Sequence, residues 1–248
     1  MFLQAAAYQS EQAFANFTTS GAFILTIIIA IAGYFVQARL QSVFTKYSKV
    51  PSPGGMSGAE AAERMLRENN VHNVKITHVK GHLTDHFNPQ TMTVNLSDSV
   101  YESRSVAAIA VACHECGHAI QHARGYAPLE LRSRLVPIVS FSSRFASLII
   151  IGGLLIMGLT QNELVCWLGI GMIAMTALFS IVTLPVEYNA SDRALEWMRS
   201  SRLMSGADLE GAKISLRWAA RTYLVAALSA ITTVIYYIAI IMGNRRNN

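Results

Sequence analysis

Ser103-Arg-Ser-Val-Ala-Ala-Ile-Ala-Val-Ala-Cys-His114-Glu115-Cys-Gly-His118-Ala-Ile-Gln-His-Ala-Arg-Gly125 reads as one helix, and the rest of the chain is understood from it. Ser103 or Ser105 supplies an N-cap, and Gly125 is the kind of residue that follows a helix C-terminus. Residues four apart share a helix face, so His114 and His118 present their rings to one point while Glu115 stands one residue round from the first. Two His and a Glu at this spacing on a helix are suited to a catalytic zinc site. In such a site two His and a third, acidic ligand hold the ion, and the intervening Glu takes a proton from the attacking water.

Composition changes the setting. Of 248 residues, 52% are hydrophobic and 14% charged, too apolar for one or two ordinary soluble domains, so much of the chain is expected in lipid. The net charge of +5 comes from basic residues scattered among acidic ones and flanking apolar runs. That pattern speaks for membrane topology and against a nucleic-acid footprint. Cys113, Cys116 and Cys166 form no disulfide framework. Cys113 and Cys116 match Cys-x-x-Cys formally, but the two His claim that helix for a metal.

In chain order, residues 1–20 lack Lys and Arg, which excludes the basic start of a secretory signal. Residues 21–38 form a first apolar run, followed by Arg39, Lys46 and Lys49. After the turn Pro51-Ser-Pro-Gly-Gly, Ser57 and Glu60 make a capping box for an amphipathic helix through Asn70. Val74–Val79 and Thr91–Leu96 alternate like two short strands. Between them is a turn-rich loop whose histidines, with His78, lack the carboxylates for a second metal beyond Asp85, so they are read as a hydrogen-bonding loop. Residues 126–134 read as a short polar connection. Residues 135–184 are an apolar helical hairpin turning at Thr160-Gln-Asn-Glu163, with Arg144 near one end able to snorkel.

Two spans return the chain to the side it left, which brings Pro185-Val-Glu187-Tyr-Asn-Ala-Ser-Asp192 back to the His114 helix. Glu187 is the expected third zinc ligand; its other reading is a first-turn acid favoured by the helix dipole. Asp192 is placed either to orient a ligand His or to pair with Arg193 or Arg199. Residues 200–221 are an amphipathic helix leading to a last apolar run, 222–242, and the tail 243–248. At that junction Tyr223 or Arg221 is a candidate donor to an oxyanion, although both types are common at membrane interfaces.

These segments together carry a resemblance. The first apolar run, Leu83-Thr-Asp-His-Phe-Asn-Pro, Cys-His-Glu-Cys-Gly-His-Ala-Ile-Gln, the hairpin, Leu184-Pro-Val-Glu-Tyr-Asn-Ala-Ser and Ala220-Arg-Thr-Tyr-Leu-Val-Ala-Ala resemble, in this order, the bacterial YugP-type neutral zinc metallopeptidases. The resemblance covers about residues 33–241. It implies an integral membrane zinc endopeptidase of gluzincin type in the bacterial plasma membrane, similar in plan to the HtpX-type membrane proteases. Those carry Glu-x-x-Ala-Asp at the third ligand, whereas Ser191 stands four after Glu187 here.

The expected fold is therefore a mainly α membrane protein with about four transmembrane helices and a cytoplasmic zincin-like α+β catalytic region containing a short β-hairpin. Residues 39–134 hold eleven Lys/Arg and 186–221 hold six, against none in 1–20 and 160–163, so the N-terminus is expected outside and both catalytic pieces inside. The Arg245-Arg246 pair runs against this bias. One zinc per chain, Glu115 as base, and a protein or peptide substrate in or beside the bilayer complete the expectation; a membrane-protein partner or homo-oligomer stays open. A second function class is a non-proteolytic metal-containing adaptor or chaperone acting through a membrane complex. An intact Glu115 favours hydrolysis over it.

Overall fold

The computed structural model describes the backbone of residues 2–246 and the side chains of 19–244. The readings of residues 1–20 and of the Arg245-Arg246 pair thus fall almost wholly outside the described side chains. Helix α1 is Phe2–Tyr47, α2 Gly58–Glu68, α3 Val106–Ala123, α4 Ala127–Thr160, α5 Leu164–Ser200 and α6 Gly206–Arg246; strands β1 (Lys75–Val79), β2 (His86–Asn88) and β3 (Thr93–Ser97) lie between α2 and α3. Within α1, α4, α5 and α6 are four segments long and apolar enough to cross a membrane.

The chain divides into two compact units. One, residues 1–35, 134–181 and 224–248, consists of the apolar lengths of the long helices. Gly153 lets α4 approach α5 closely, since a Cβ there would meet the Cys166 backbone nitrogen at 2.7 Å. Leu148, Ile151, Leu155 and Leu159 point outward on α4, as a lipid-facing surface requires.

The other unit, residues 36–133 and 182–223, has a conventional buried core. Ala61, Met65 and Leu66 of α2, Val94 and Leu96 of β3, most of α3, and Ala194 and Met198 of α5 make it up. The capping box starts α2 as expected: the Glu60 N–H donates to Ser57 Oγ at 3.2 Å and the Ser57 N–H to Glu60 Oε2 at 2.7 Å. Of the two candidate caps for α3 it is Ser105 that accepts from the Ala108 N–H, and Gly125 takes φ +60° just past the other end. Apolar nearly all round, α3 is buried nearly all round. Burial pushes the Cys113 and Cys116 thiols up, away from the thiolate that redox chemistry needs.

The sheet differs from expectation. The two anticipated strands are not a hairpin but parallel neighbours, Lys75 opposite Thr93 through Val79 opposite Ser97. A parallel pair needs a crossover of about a dozen residues, and the turn-rich segment between them supplies it. Within that segment lies the unforeseen β2, which pairs antiparallel with β3, so the hairpin is β2–β3 and the order is β1-β3-β2. Asp85 fixes the loop by accepting from the Ser97 N–H at 2.7 Å and from Ser97 Oγ at 2.9 Å.

The helices also run further than the apolar runs do. Residues 127–134, read as a connection, are the first turns of α4; α5 continues through Pro185 to Ser200; and the amphipathic stretch before residue 222 belongs to α6. The change from apolar to polar residues marks a change of environment, while the helix ends only where caps and turn residues intervene.

Candidate metal centre

His114 and His118 lie on α3, 4.8 Å apart between ring centroids and nearly perpendicular. Glu187 lies on α5, and Gly117 allows the helices to meet: a Cβ there would stand 2.5 Å from the Ala190 carbonyl oxygen. The result is a tight group. His114 Nε2 is 3.1 Å from Glu187 Oε2, and His118 Nε2 is 3.7 Å from Glu187 Oε1. Among the described residues this is the one set of three or more His, Cys, Asp or Glu close enough to share a metal ion.

Hydrogen bonds on the far sides of the rings fix their orientation. Gln121, fully buried, donates from Nε2 to the Val186 carbonyl at 2.8 Å and to Asn189 Oδ1 at 3.0 Å. A carbonyl can only accept, so the Gln121 amide orientation follows, and its Oε1 must be the atom 3.0 Å from His118 Nδ1. Nδ1 therefore carries a hydrogen. In the neutral ring Nε2 is then a lone pair directed at a carboxylate oxygen, a pairing that calls for a cation between them. His114 Nδ1 is 3.1 Å from Ser191 Oγ. Ser191 thus occupies the place for which Asp192 was a candidate, while Asp192 points to the exposed side of α5.

Glu187 gives a second sign. Its Oε1 is buried and makes no hydrogen bond, although Arg132 Nη1 stands 3.1 Å away outside hydrogen-bonding geometry. Arg132 thus pairs with this oxygen by charge but not by a hydrogen bond, which leaves the oxygen a lone pair to offer a metal ion. Two His and one Glu are a zinc donor set, and one ligand atom from each lies within 4.8 Å of the others. The residues fit zinc. Replacing Gln121 with Leu, which removes the His118 partner at similar volume, is expected to weaken zinc binding about 10–100-fold. Competition with a chelating dye measures this, and unchanged affinity would show that Gln121 does not orient the ring.

Glu115 is buried beside this group and accepts from the Phe87 N–H at 3.1 Å. Burial pushes its carboxyl up to about 7, Glu187 and Asp85 add to the rise, and His114 and the Phe87 N–H oppose it. Tyr223 of α6 is close enough to Glu187, Arg132 and Glu115 to couple electrostatically with all three. Arg221, the other candidate, is exposed and lies over Trp218 instead, 4.2 Å from the ring centroid. The loop histidines have local partners: His78 Nε2 meets Asp98 at 2.7 Å, His86 meets the Thr84 carbonyl at 2.8 Å, and His82 packs edge-on against Phe44.

Sequence reading alone did not bring Arg132, Gln121, Ser191 or the Phe87 N–H to the site. Signals existed for two of them. Gln121 is one turn after His118, and Ser191 is one turn after Glu187, each on its neighbour's face.

Comparison with known proteins agrees with this geometry. A family described as "Putative neutral zinc metallopeptidase" matches residues 22–242. The chain is 38% identical over 229 residues to "Putative membrane protease YugP" of Bacillus subtilis (strain 168), covering 91% of this chain and 99% of that one. No solved structure matches. With a His/His/Glu group inside the matched region, the chain belongs to this neutral zinc metallopeptidase family.

Proposed function

We propose that the protein is an integral membrane zinc endopeptidase that hydrolyses peptide bonds of membrane or membrane-adjacent proteins at the cytoplasmic face of the bacterial plasma membrane. The observation that carries this reading is the convergence of His114, His118 and Glu187, one Glu187 oxygen lacking a hydrogen bond, with Glu115 buried alongside. His114, His118 and Glu187 hold one zinc per chain. Zinc supplies Lewis acidity, polarising the scissile carbonyl and lowering the pKa of water towards ~7.

Glu115 takes the proton of the attacking water as its oxygen bonds to the carbonyl carbon. It then returns that proton to the amine nitrogen as the C–N bond breaks. Tyr223 donates its phenolic O–H to the oxyanion. Strand β2 is an edge of the sheet, and its Phe87 N–H is turned towards Glu115, which supports a place for Glu115 beside that edge. The cytoplasmic orientation draws on the excess of Lys and Arg in 39–134 and 186–221, the segments assigned to catalysis, with 21–38, 135–184 and 222–242 assigned to the bilayer.

Detergent-purified protein is expected to contain about one zinc per chain and to cleave fluorescein-labelled casein. Removing zinc with a chelator should abolish cleavage, and adding zinc back should restore it. Protein that carries no zinc after careful preparation, or whose cleavage survives complete zinc removal, would overturn the proposal.

A further inference from the structure

The hydrolytic reading leaves one charged group at the centre without a role. Arg132 lies in the first turns of α4, in a stretch whose sequence suggests only a connector. The turn just before it is held in place: the Tyr126 N–H donates to the Gln121 carbonyl at 3.0 Å, the Leu129 N–H to the Tyr126 carbonyl at 2.9 Å, and Leu129 is buried. The start of α4 is thereby tied to the end of α3, two residues of which are His114 and His118. Arg132 Nη1 is 3.1 Å from Glu187 Oε1, so the guanidinium stands beside the group that would hold zinc.

A fixed cation so close to a bound dication repels it. Arg132 would therefore work against metal binding. What a second cation does favour is negative charge that develops only during the reaction. Its donors are available for that. Guanidinium has five N–H groups in a fixed fork; Arg132 pairs with Glu187 outside hydrogen-bonding geometry, lies close enough to Tyr223 to interact with it electrostatically, and has a side chain that is 25% exposed.

Resting on the hydrolytic reading, we propose that Arg132 is a catalytic residue that donates to the scissile carbonyl oxygen as it becomes an oxyanion, beside Tyr223. In this role Arg132 binds the substrate carbonyl weakly and the oxyanion strongly, so its loss lowers turnover more than substrate affinity.

The test uses full-length protein in detergent, as wild type, Arg132→Gln, Arg132→Lys and Arg132→Ala. Zinc affinity is measured by chelator competition, and casein cleavage is measured at equal zinc occupancy. Arg132→Gln is expected to bind zinc at least as tightly as wild type and to lose about 100-fold or more in kcat, with KM within about threefold. Arg132→Lys should recover part of the loss, and added guanidinium ion should partly rescue Arg132→Ala. Zinc affinity falling about tenfold or more in Arg132→Gln would make Arg132 a support for the metal group and overturn the proposal. Unchanged cleavage at equal occupancy would overturn it too, leaving Arg132 to offset the buried Glu187 charge. A zinc-loaded wild type that cleaves nothing would instead defeat the hydrolytic reading, and the proposal with it.

Discussion

Glu115→Gln is expected to lower casein cleavage by about 10²–10⁴-fold while leaving zinc content and the melting temperature close to wild type. Glu115 is outside the His114, His118 and Glu187 group, so its neutralisation takes no ligand from the ion. Gln has nearly the same volume, and its side-chain oxygen can still accept from the Phe87 N–H that Glu115 Oε2 accepts from at 3.1 Å. What it cannot do is take a proton from water. Metal analysis and cleavage assays on the same preparation separate the two effects. Retention of more than about a tenth of the activity would remove Glu115 from the role of base.

Gly117→Ala is expected to do harm where the same change in an ordinary helix does good. Mid-helix Ala is favoured over Gly by roughly 0.5–1 kcal/mol. Here the added Cβ would meet the Ala190 carbonyl oxygen at 2.5 Å and its carbonyl carbon and Cα at 3.0 Å, and backbone atoms cannot swing aside. Forcing extra volume into a packed contact costs about 1–3 kcal/mol, so the net effect is destabilising. The site suffers more than the fold. Gly117 adjoins His118, and Ala190 adjoins Ser191, whose hydroxyl contacts His114. Helices pushed apart by a fraction of an ångström displace both rings relative to Glu187, and a misplacement near 1 Å can cost about 10²-fold in rate. Thermal unfolding in detergent and zinc titration give the comparison. A higher melting temperature with unchanged zinc affinity would show that α3 and α5 are not locked at this point.

How much of this was legible in the sequence depends on the range of the interaction. The α3 helix and the facing of His114 and His118 follow from helical periodicity and local caps, and both are present. Glu187 was placed by counting membrane crossings, a topological argument that needs no contact to be known. Strand β2 was not readable, because three residues beside Pro89 in a turn-rich loop carry no periodicity; β3 and Glu115 hold it in place. From the sequence Asp192 reads either as orienting a ligand His or as pairing with Arg193 or Arg199, and the Ser191 hydroxyl is not weighed for the first of these roles. Position 191 is one turn from Glu187 and shares its face, whereas 192 is rotated away by about 100°. Arg132 reaches Glu187 only because α4 begins at Ala127, and that depends on how far a helix continues beyond its apolar run.

The separation of the site's parts along the chain gives it a timetable. His114 and Glu187 meet although 73 positions separate them, and α4 together with the apolar length of α5 lies between. During synthesis the two imidazoles leave the ribosome well before the carboxylate, and meanwhile two long greasy helices must find their place. A nascent chain therefore has two of the three candidate metal ligands but no finished cage. The cage is complete only where α5 lies against α3 at Gly117, so the three candidate ligands come together only once the intervening helices are in place.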